Sequence, residues 1–399
     1  MDSAVANYSL PKPAWKVFPF DGAAALEFIC VGGGSLLIMA FCSTLSNVNF
    51  VMRDDVRFFL AQCITFSLLF SVLFAYPHTI WSYRFAYQQG AGFILKHSLE
   101  LIGYPLAILG LLWLSALTWN IPLSSSPLLG QFERFSAMGG IDLHWSYYQG
   151  IGALLLASLL VFQLVVSGYH YGMQAFGVAI ACGEKAGYRL SLTQKRCLRV
   201  NLYALWMLNL LSGYTFLSLL DYKGFGYQPL HFPWQWKYLA LGVFAVTIAL
   251  VLSKIIWPIF KAQKQLPPLS AIVSIFSVWL WLQPFVQPSG FQAGVVPLAH
   301  GVQYLYFSAR AEMAGFDQGL AAIASDGRRL IALIFLFMAF VGIGYLAFTY
   351  MPVQLDATSL VKHLRPNFFF LAAYIFLNTH HYMIDSVVWR GDSRLRQLV

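Results

Sequence analysis

Ten stretches of this chain are each about 20 residues long and mostly apolar, long enough to cross a bilayer. They constrain the fold more than any motif does, because a segment in hydrocarbon must satisfy its own backbone hydrogen bonds, and a run of this length does so as a helix. The stretches are residues 23–46, 58–83, 99–119, 150–181, 199–220, 237–260, 268–287, 292–312, 329–350 and 367–390. Of the 399 residues 59% are hydrophobic and 10% charged, with mean hydropathy +0.64, which excludes one or two soluble domains. The expected fold is all-α: a polytopic transmembrane helical bundle.

Two stretches depart from a straight crossing. The eighth contains Pro297 and follows Pro288, Ser289 and Gly290, so it reads either as a span or as a re-entrant or broken segment. The fourth exceeds one crossing and reads as kinked near Gly168 or Gly172, or as emerging from the membrane. Around the single transmembrane domain, residues 23–390, lie an N-terminal segment, 1–22, an external loop, 120–146, and a tail, 391–399. Residues 1–20 are polar and proline-punctuated, without the pattern of a cleavable signal.

Charge orients the bundle. With ten crossings and both termini cytoplasmic, most of the 25 lysines and arginines fall on cytoplasmic segments, as positive-inside bias requires. The net charge of +9 is therefore no sign of nucleic acid, since no basic run is interleaved with aromatics. Cys30, Cys42, Cys63, Cys182 and Cys197 lack the spacing of a zinc ribbon or disulfide framework.

Against this background five histidines stand out. His78, His170, His300, His380 and His381 lie within or at the ends of apolar spans, where an ionisable side chain is costly and marks a functional site. They fall on the second, fourth, eighth and tenth spans, all running from outside to inside. Pro77 precedes His78 and predicts a kink that frees carbonyls in the preceding turn. Gly172 and Gln174 follow His170. His300 and Tyr304 share a helix face at i,i+4, as do His381 and Asp385, whereas His380 points about 100° from His381. His97, His144, His231 and His363 read as solvated loop or interface residues.

Imidazoles are good ligands for iron, copper and zinc, and few intramembrane carboxylates accompany them, which disfavours magnesium and calcium. The candidate metal ligands are His78, His170, His300, His380 and His381, with iron (Fe2+) first and zinc or copper possible. Tyr304 and Asp385 are the candidate catalytic residues, Asp385 holding an imidazole N–H so that the other nitrogen faces the metal. Two other classes use the same residues: a transporter with a His/Asp proton or ion relay, and a haem protein with two axial histidines.

The segments Tyr76-Pro77-His78, Tyr169-His170-Tyr171-Gly172-Met173, His300-Gly301-Val302-Gln303-Tyr304 and His380-His381-Tyr382-Met383-Ile384-Asp385 resemble, in the same order, the histidine segments of the Brp/Blh family, membrane β-carotene-cleaving dioxygenases of bacteria. That family has a Pro-His near its start, a His-Phe-Gly-Met segment, a later histidine-rich helix and a closing Pro-His followed by Asp and a basic residue. Where the later helix has His-x-x-x-His, this chain has His300 and Tyr304, so His380 or His381 must supply the missing ligand. The resemblance implies a multi-pass protein of the bacterial inner membrane that binds iron through His78, His170 and His300. It further implies use of O2 at an open coordination position and a lipophilic substrate that arrives from the membrane lipid.

Aromatic residues, 17% of the chain, lie mostly near span ends as an interfacial belt, with Trp279 and Trp281 the deepest and the best candidates to line a pocket. Gly32-Gly33-Gly34 lacks the Lys-Ser/Thr of a phosphate loop and suits close helix packing.

Overall fold

Proline and glycine decide where the apolar helices of this protein bend. In the computed structural model, which describes residues 22–48, 66, 69–138, 150–212, 221–222, 225–226, 232–283, 291–315, 325–358, 364, 367–390 and 393–398, a wide π-type turn precedes an X-Pro pair four times. These turns are Ser71–Ala75 before Tyr76-Pro77, Leu99–Gly103 before Tyr104-Pro105, Leu252–Ile256 before Trp257-Pro258, and Leu346–Tyr350 before Met351-Pro352. A proline ring lacks the N–H and clashes with the carbonyl four residues back, so the turn before it widens.

The principal helices are α1 (Gly22–Phe28), α2 (Gly34–Val48), α3 (Tyr76–Tyr87), α4 (Tyr104–Leu117), α5 (Pro127–Met138), α6 (Ile151–Lys185), α7 (Leu192–Leu211), α8 (Trp234–Val251), α9 (Leu269–Leu282), α10 (Phe291–Met313), α11 (Asp326–Tyr345), α12 (Phe368–Val388) and α13 (Arg394–Gln397). Among the described residues the only strands are β1 (Asp221–Tyr222) and β2 (Phe225–Gly226), a two-residue antiparallel ladder. Among the described residues five helical stretches are long and apolar enough to cross a membrane: Gly22–Phe41, Leu99–Leu117, Ile151–Lys185, Trp234–Gln263 and Asp326–Ala357.

The structure adds detail to several expectations. The fourth stretch, α6, runs as one helix of 35 residues, about 52 Å at 1.5 Å per residue, so it overshoots a ~30 Å hydrocarbon core. The eighth, α10, is continuous from Phe291 to Met313 despite Pro297. The loop 120–146 carries α5. The tail folds back, with Leu395 buried and Arg396 paired with Glu184 at 3.0 Å. Residues 1–21 lie outside the described part, as do 58–65 and 67–68 of the second stretch, 213–220 of the fifth and 284–287 of the seventh.

The first apolar helix is broken inside its glycine run. Gly32 has φ +134°, a conformation nearly closed to L side chains, and a Cβ there would collide with Ser277 on α9. The break leaves carbonyls that other helices take up: Gln303 Nε2 donates to Val31 O at 2.7 Å and Ser35 Oγ to Gly32 O at 2.6 Å. Trp281 Nε1 donates to Ser35 Oγ at 2.8 Å. Trp281 is therefore a buried anchor, and Trp279 is likewise held, through Nε1 to Asn201 Oδ1 at 2.8 Å.

α6 is the most buried of the five long stretches and the Asp326–Ala357 stretch the most exposed. Around α6 pack α4, α7, α9 and α12, with Leu156, Leu160, Leu371 and Ile375 filling the space between α6 and α12. Relative direction follows from paired contacts that advance together. His170 meets His300 and Gln174 meets Gln303; Ser167 meets Tyr382 and His170 meets Asp385; His78 lies against His300 while Trp81 and Arg84 reach Glu312. So α3, α6, α10 and α12 run parallel to one another.

Candidate metal centre

Four parallel helices each bring one imidazole to the same place. The wide turn before Tyr76-Pro77 lets α10 approach α3 at Gly301, where an added Cβ would lie 3.0 Å from Phe74 O. That approach sets His300 beside His78, with ring centroids 5.1 Å apart. From α6 His170 reaches His300, Nε2 to Nε2 at 3.2 Å. From α12 His381 reaches His78, Nε2 to Nε2 at 3.1 Å. All four rings are buried.

The carboxylate of Asp385 completes the group. One helical turn beyond His381, its Oδ2 lies 3.5 Å from His381 Nε2 and 3.7 Å from His170 Nε2. Two overlapping sets, His78/His300/His381 and His170/His381/Asp385, have ligand atoms within 4.8 Å of one another. This buried His/Asp group can hold a metal ion. Metal–nitrogen bonds of about 2.1 Å at tetrahedral or octahedral angles put neighbouring ligand atoms ~3.0–3.4 Å apart, which matches the 3.1 and 3.2 Å spacings.

Asp385 therefore sits differently from its expected place behind an imidazole. Its oxygen faces the Nε2 atoms that converge on the centre, on the ligand side of the rings. The orienting role falls to Ser82. Its hydroxyl donates to Thr79 O at 2.7 Å and lies 2.8 Å from His381 Nδ1. The single hydroxyl proton is committed to Thr79, so His381 Nδ1–H donates to Ser82 Oγ and the bare lone pair of Nε2 points into the centre.

The remaining rings are held from the side. Tyr382 stacks on His170 at 4.3 Å between centroids. Ser167 donates to Gln163 O at 2.8 Å, so the Tyr382 hydroxyl donates to Ser167 Oγ at 2.8 Å. Gln174 Nε2 donates to His300 O at 3.0 Å and to Gln303 Oε1 at 2.9 Å, tying α6 to α10 just below the rings. Tyr304, one turn after His300, donates its hydroxyl to Asp385 Oδ1 at 3.1 Å, which aims Oδ2 at the histidines.

His380 does not join the group. It projects from α12 toward α3, where its Nδ1 is 2.9 Å from the Tyr83 hydroxyl and its Nε2 3.5 Å from that of Tyr87. His97, expected to be solvated, is buried against Phe93 with ring centroids 4.6 Å apart. His144, His231 and His363 lie outside the described residues.

Two charged groups lie away from the centre. Glu312 is fully buried and accepts from Trp81 Nε1 and Arg84 Nε, both at 3.0 Å. Glu27 accepts from Lys185 at 2.8 Å and from Tyr306 at 3.1 Å. Ser82, Tyr382 and Glu312 are functional or structural residues that sequence reasoning passed over. Serine, tyrosine and glutamate are common at such positions, and only their partners distinguish them.

The fold and this group together define a helical protein with membrane-crossing segments and a buried histidine–carboxylate centre suited to a metal ion. Compared with protein-family models, curated proteins and solved structures, the chain matches none.

Proposed function

We propose that the protein is an integral membrane oxidoreductase that holds iron at the four-helix centre and uses O2 to oxidise a lipophilic substrate. The observation that carries this reading is the convergence of four imidazole nitrogens and one carboxylate oxygen inside apolar helices, with one histidine tautomer set by Ser82. Nitrogen and oxygen donors in this ratio suit a divalent transition metal better than magnesium or calcium. Iron held there would supply activation of O2. His78, His170, His300 and His381 hold the metal, Asp385 adds the carboxylate, and Tyr304 positions Asp385.

In this reading ten helices cross the bacterial inner membrane and both termini are cytoplasmic. The four parallel histidine helices support that orientation, because each ends with a basic residue on the same side: Arg84 on α3, Lys185 on α6, Arg310 on α10 and Arg390 just after α12. Positive-inside bias assigns that side to the cytoplasm. The lipophilic substrate arrives laterally from the bilayer, and the resemblance to the Brp/Blh family suggests a polyene as its class.

The spacing of the rings weighs against haem. Two axial ligands on opposite sides of an iron lie ~4 Å apart across a macrocycle, whereas the facing Nε2 atoms here are 3.1 and 3.2 Å apart. Metal analysis and an optical spectrum of the purified protein test the proposal. The expected result is stoichiometric iron without a Soret band. A Soret band overturns it in favour of haem, and absence of any metal overturns it in favour of a His/Asp relay for transport.

A further inference from the structure

Between α7 and α8, on the far side of α7 from the core, runs an open apolar groove of about 450 Å3. It is lined by Val200, Tyr203, Met207 and Leu211 from α7 and by Trp236 and Val243 from α8. Its walls are largely exposed: Val200 49%, Met207 39%, Trp236 41% and Val243 49%. The distance from Val200 to Leu211 is about 16 Å along the helix, close to half of a ~30 Å hydrocarbon core and so to the depth of one leaflet.

A basic rim caps one end of this groove. Arg196, Val200, Tyr203 and Met207 follow at steps of four, three and four residues, so they form a single stripe on α7. Arg196 is about 6 Å beyond the last groove residue. The hydrogen bonds Asn201 Nδ2 to Thr247 Oγ1, 3.1 Å, and Gln194 Nε2 to Lys254 O, 3.0 Å, show that α7 and α8 run antiparallel and put Lys254 level with the first turn of α7. Arg196 and Lys254 are both exposed. No carboxylate pairs with either among the described residues. From residue 186 to 263 the only acid is Asp221, beyond the opposite end of α7.

We propose that this groove is a binding site for an anionic phospholipid, one acyl chain lying between α7 and α8 and the headgroup phosphate lying against Arg196 and Lys254. An apolar channel one leaflet deep that ends at two uncompensated cations favours a lipid with a net negative head over a zwitterionic one, whose own cationic group the same two side chains repel. The site depends on α7 and α8 crossing a membrane and is independent of the metal centre.

Native mass spectrometry of the purified full chain tests the site, with phosphatidylglycerol and phosphatidylcholine of matched acyl chains as probes. Phosphatidylglycerol should be retained more strongly than phosphatidylcholine. The double variant Arg196→Gln/Lys254→Gln should weaken phosphatidylglycerol binding about 30-fold, the worth of two basic residues at an anionic headgroup. Val243→Trp, which narrows the groove from its exposed side, should weaken it too, and Arg328→Gln on α11 should change nothing. Equal retention of the two lipids, or undiminished retention in the double variant, overturns the headgroup site. Undiminished retention in Val243→Trp overturns the groove as the seat of the chain. Metal content read on the same samples is expected to stay constant, which separates failure here from failure of the metal centre.

Discussion

His78 and His381 are 303 positions apart in the chain, and their Nε2 atoms meet at 3.1 Å. Both rings are buried, and because the Ser82 hydroxyl donates to Thr79 O, Nδ1 of His381 is left to donate to Ser82 Oγ. A nitrogen lone pair aimed among buried rings suits a Lewis acid.

Removing any one ligand should empty the centre. His78→Ala, His170→Ala, His300→Ala and His381→Ala should each abolish retention of metal through purification while leaving the helical circular dichroism spectrum unchanged. His380→Ala should retain metal in full, because that ring is turned to Tyr83. Stoichiometric metal in all four first variants sinks the assignment.

Ser82→Ala removes the acceptor that holds His381 in one tautomer. Metal affinity should fall about 10- to 100-fold, the usual cost of losing an orienting partner. Competition with a chelator of known affinity measures this, and an unchanged affinity would remove Ser82 from the centre.

Asp385→Asn keeps the shape of the side chain and removes its charge. If Oδ2 is a ligand, metal affinity should drop and the ligand-field spectrum of the cobalt-substituted protein should change. Tyr304→Phe, which releases Oδ1, should give a smaller change in the same direction. A cobalt spectrum identical to wild type in Asp385→Asn returns the carboxylate to an outer role.

Gly301→Ala places a methyl group 3.0 Å from Phe74 O. The contact should push α10 from α3, destabilising the protein by about 1–3 kcal/mol, as overpacking does, and loosening metal through His300. Thermal unfolding and metal content should fall together; a stable variant that keeps its metal shows that the wide turn before Pro77 gives way instead.

Glu312→Ala leaves Trp81 and Arg84 without their shared acceptor in a buried setting. Breaking one side of such a pair costs roughly 3–5 kcal/mol, so unfolding should occur at lower temperature. Metal content per folded molecule should stay at wild-type level, since none of these three residues reaches the centre.

The helical architecture and the membrane-crossing segments were legible in the sequence because hydropathy over twenty residues is a local property. The π-type turn ahead of His78 follows in the same way from Pro77. The candidate histidines could be named because an imidazole in an apolar stretch is conspicuous wherever its helix ends up. Parallel alignment of the four histidine helices agrees with the direction read from counting spans, and counting needs no tertiary contact.

What the chain order could not decide is rotation and approach. His380 and His381 are neighbours in sequence, and only the packing of α12 against α3 and α6 turns one into the centre and the other to Tyr83. Asp385 shares a face with His381 in any helix. Whether it stands behind the imidazole or beside its ligand nitrogen depends on where His170 lies, and His170 is on another helix. Ser82 acquires its role from a histidine 299 positions away. By itself the sequence determined a helical protein with segments apolar enough to cross a membrane and histidines within its apolar stretches, because hydropathy is written residue by residue. The tertiary structure decided which four rings and which oxygen meet, because that depends on how each helix is turned and how closely glycine and proline let it approach its neighbours.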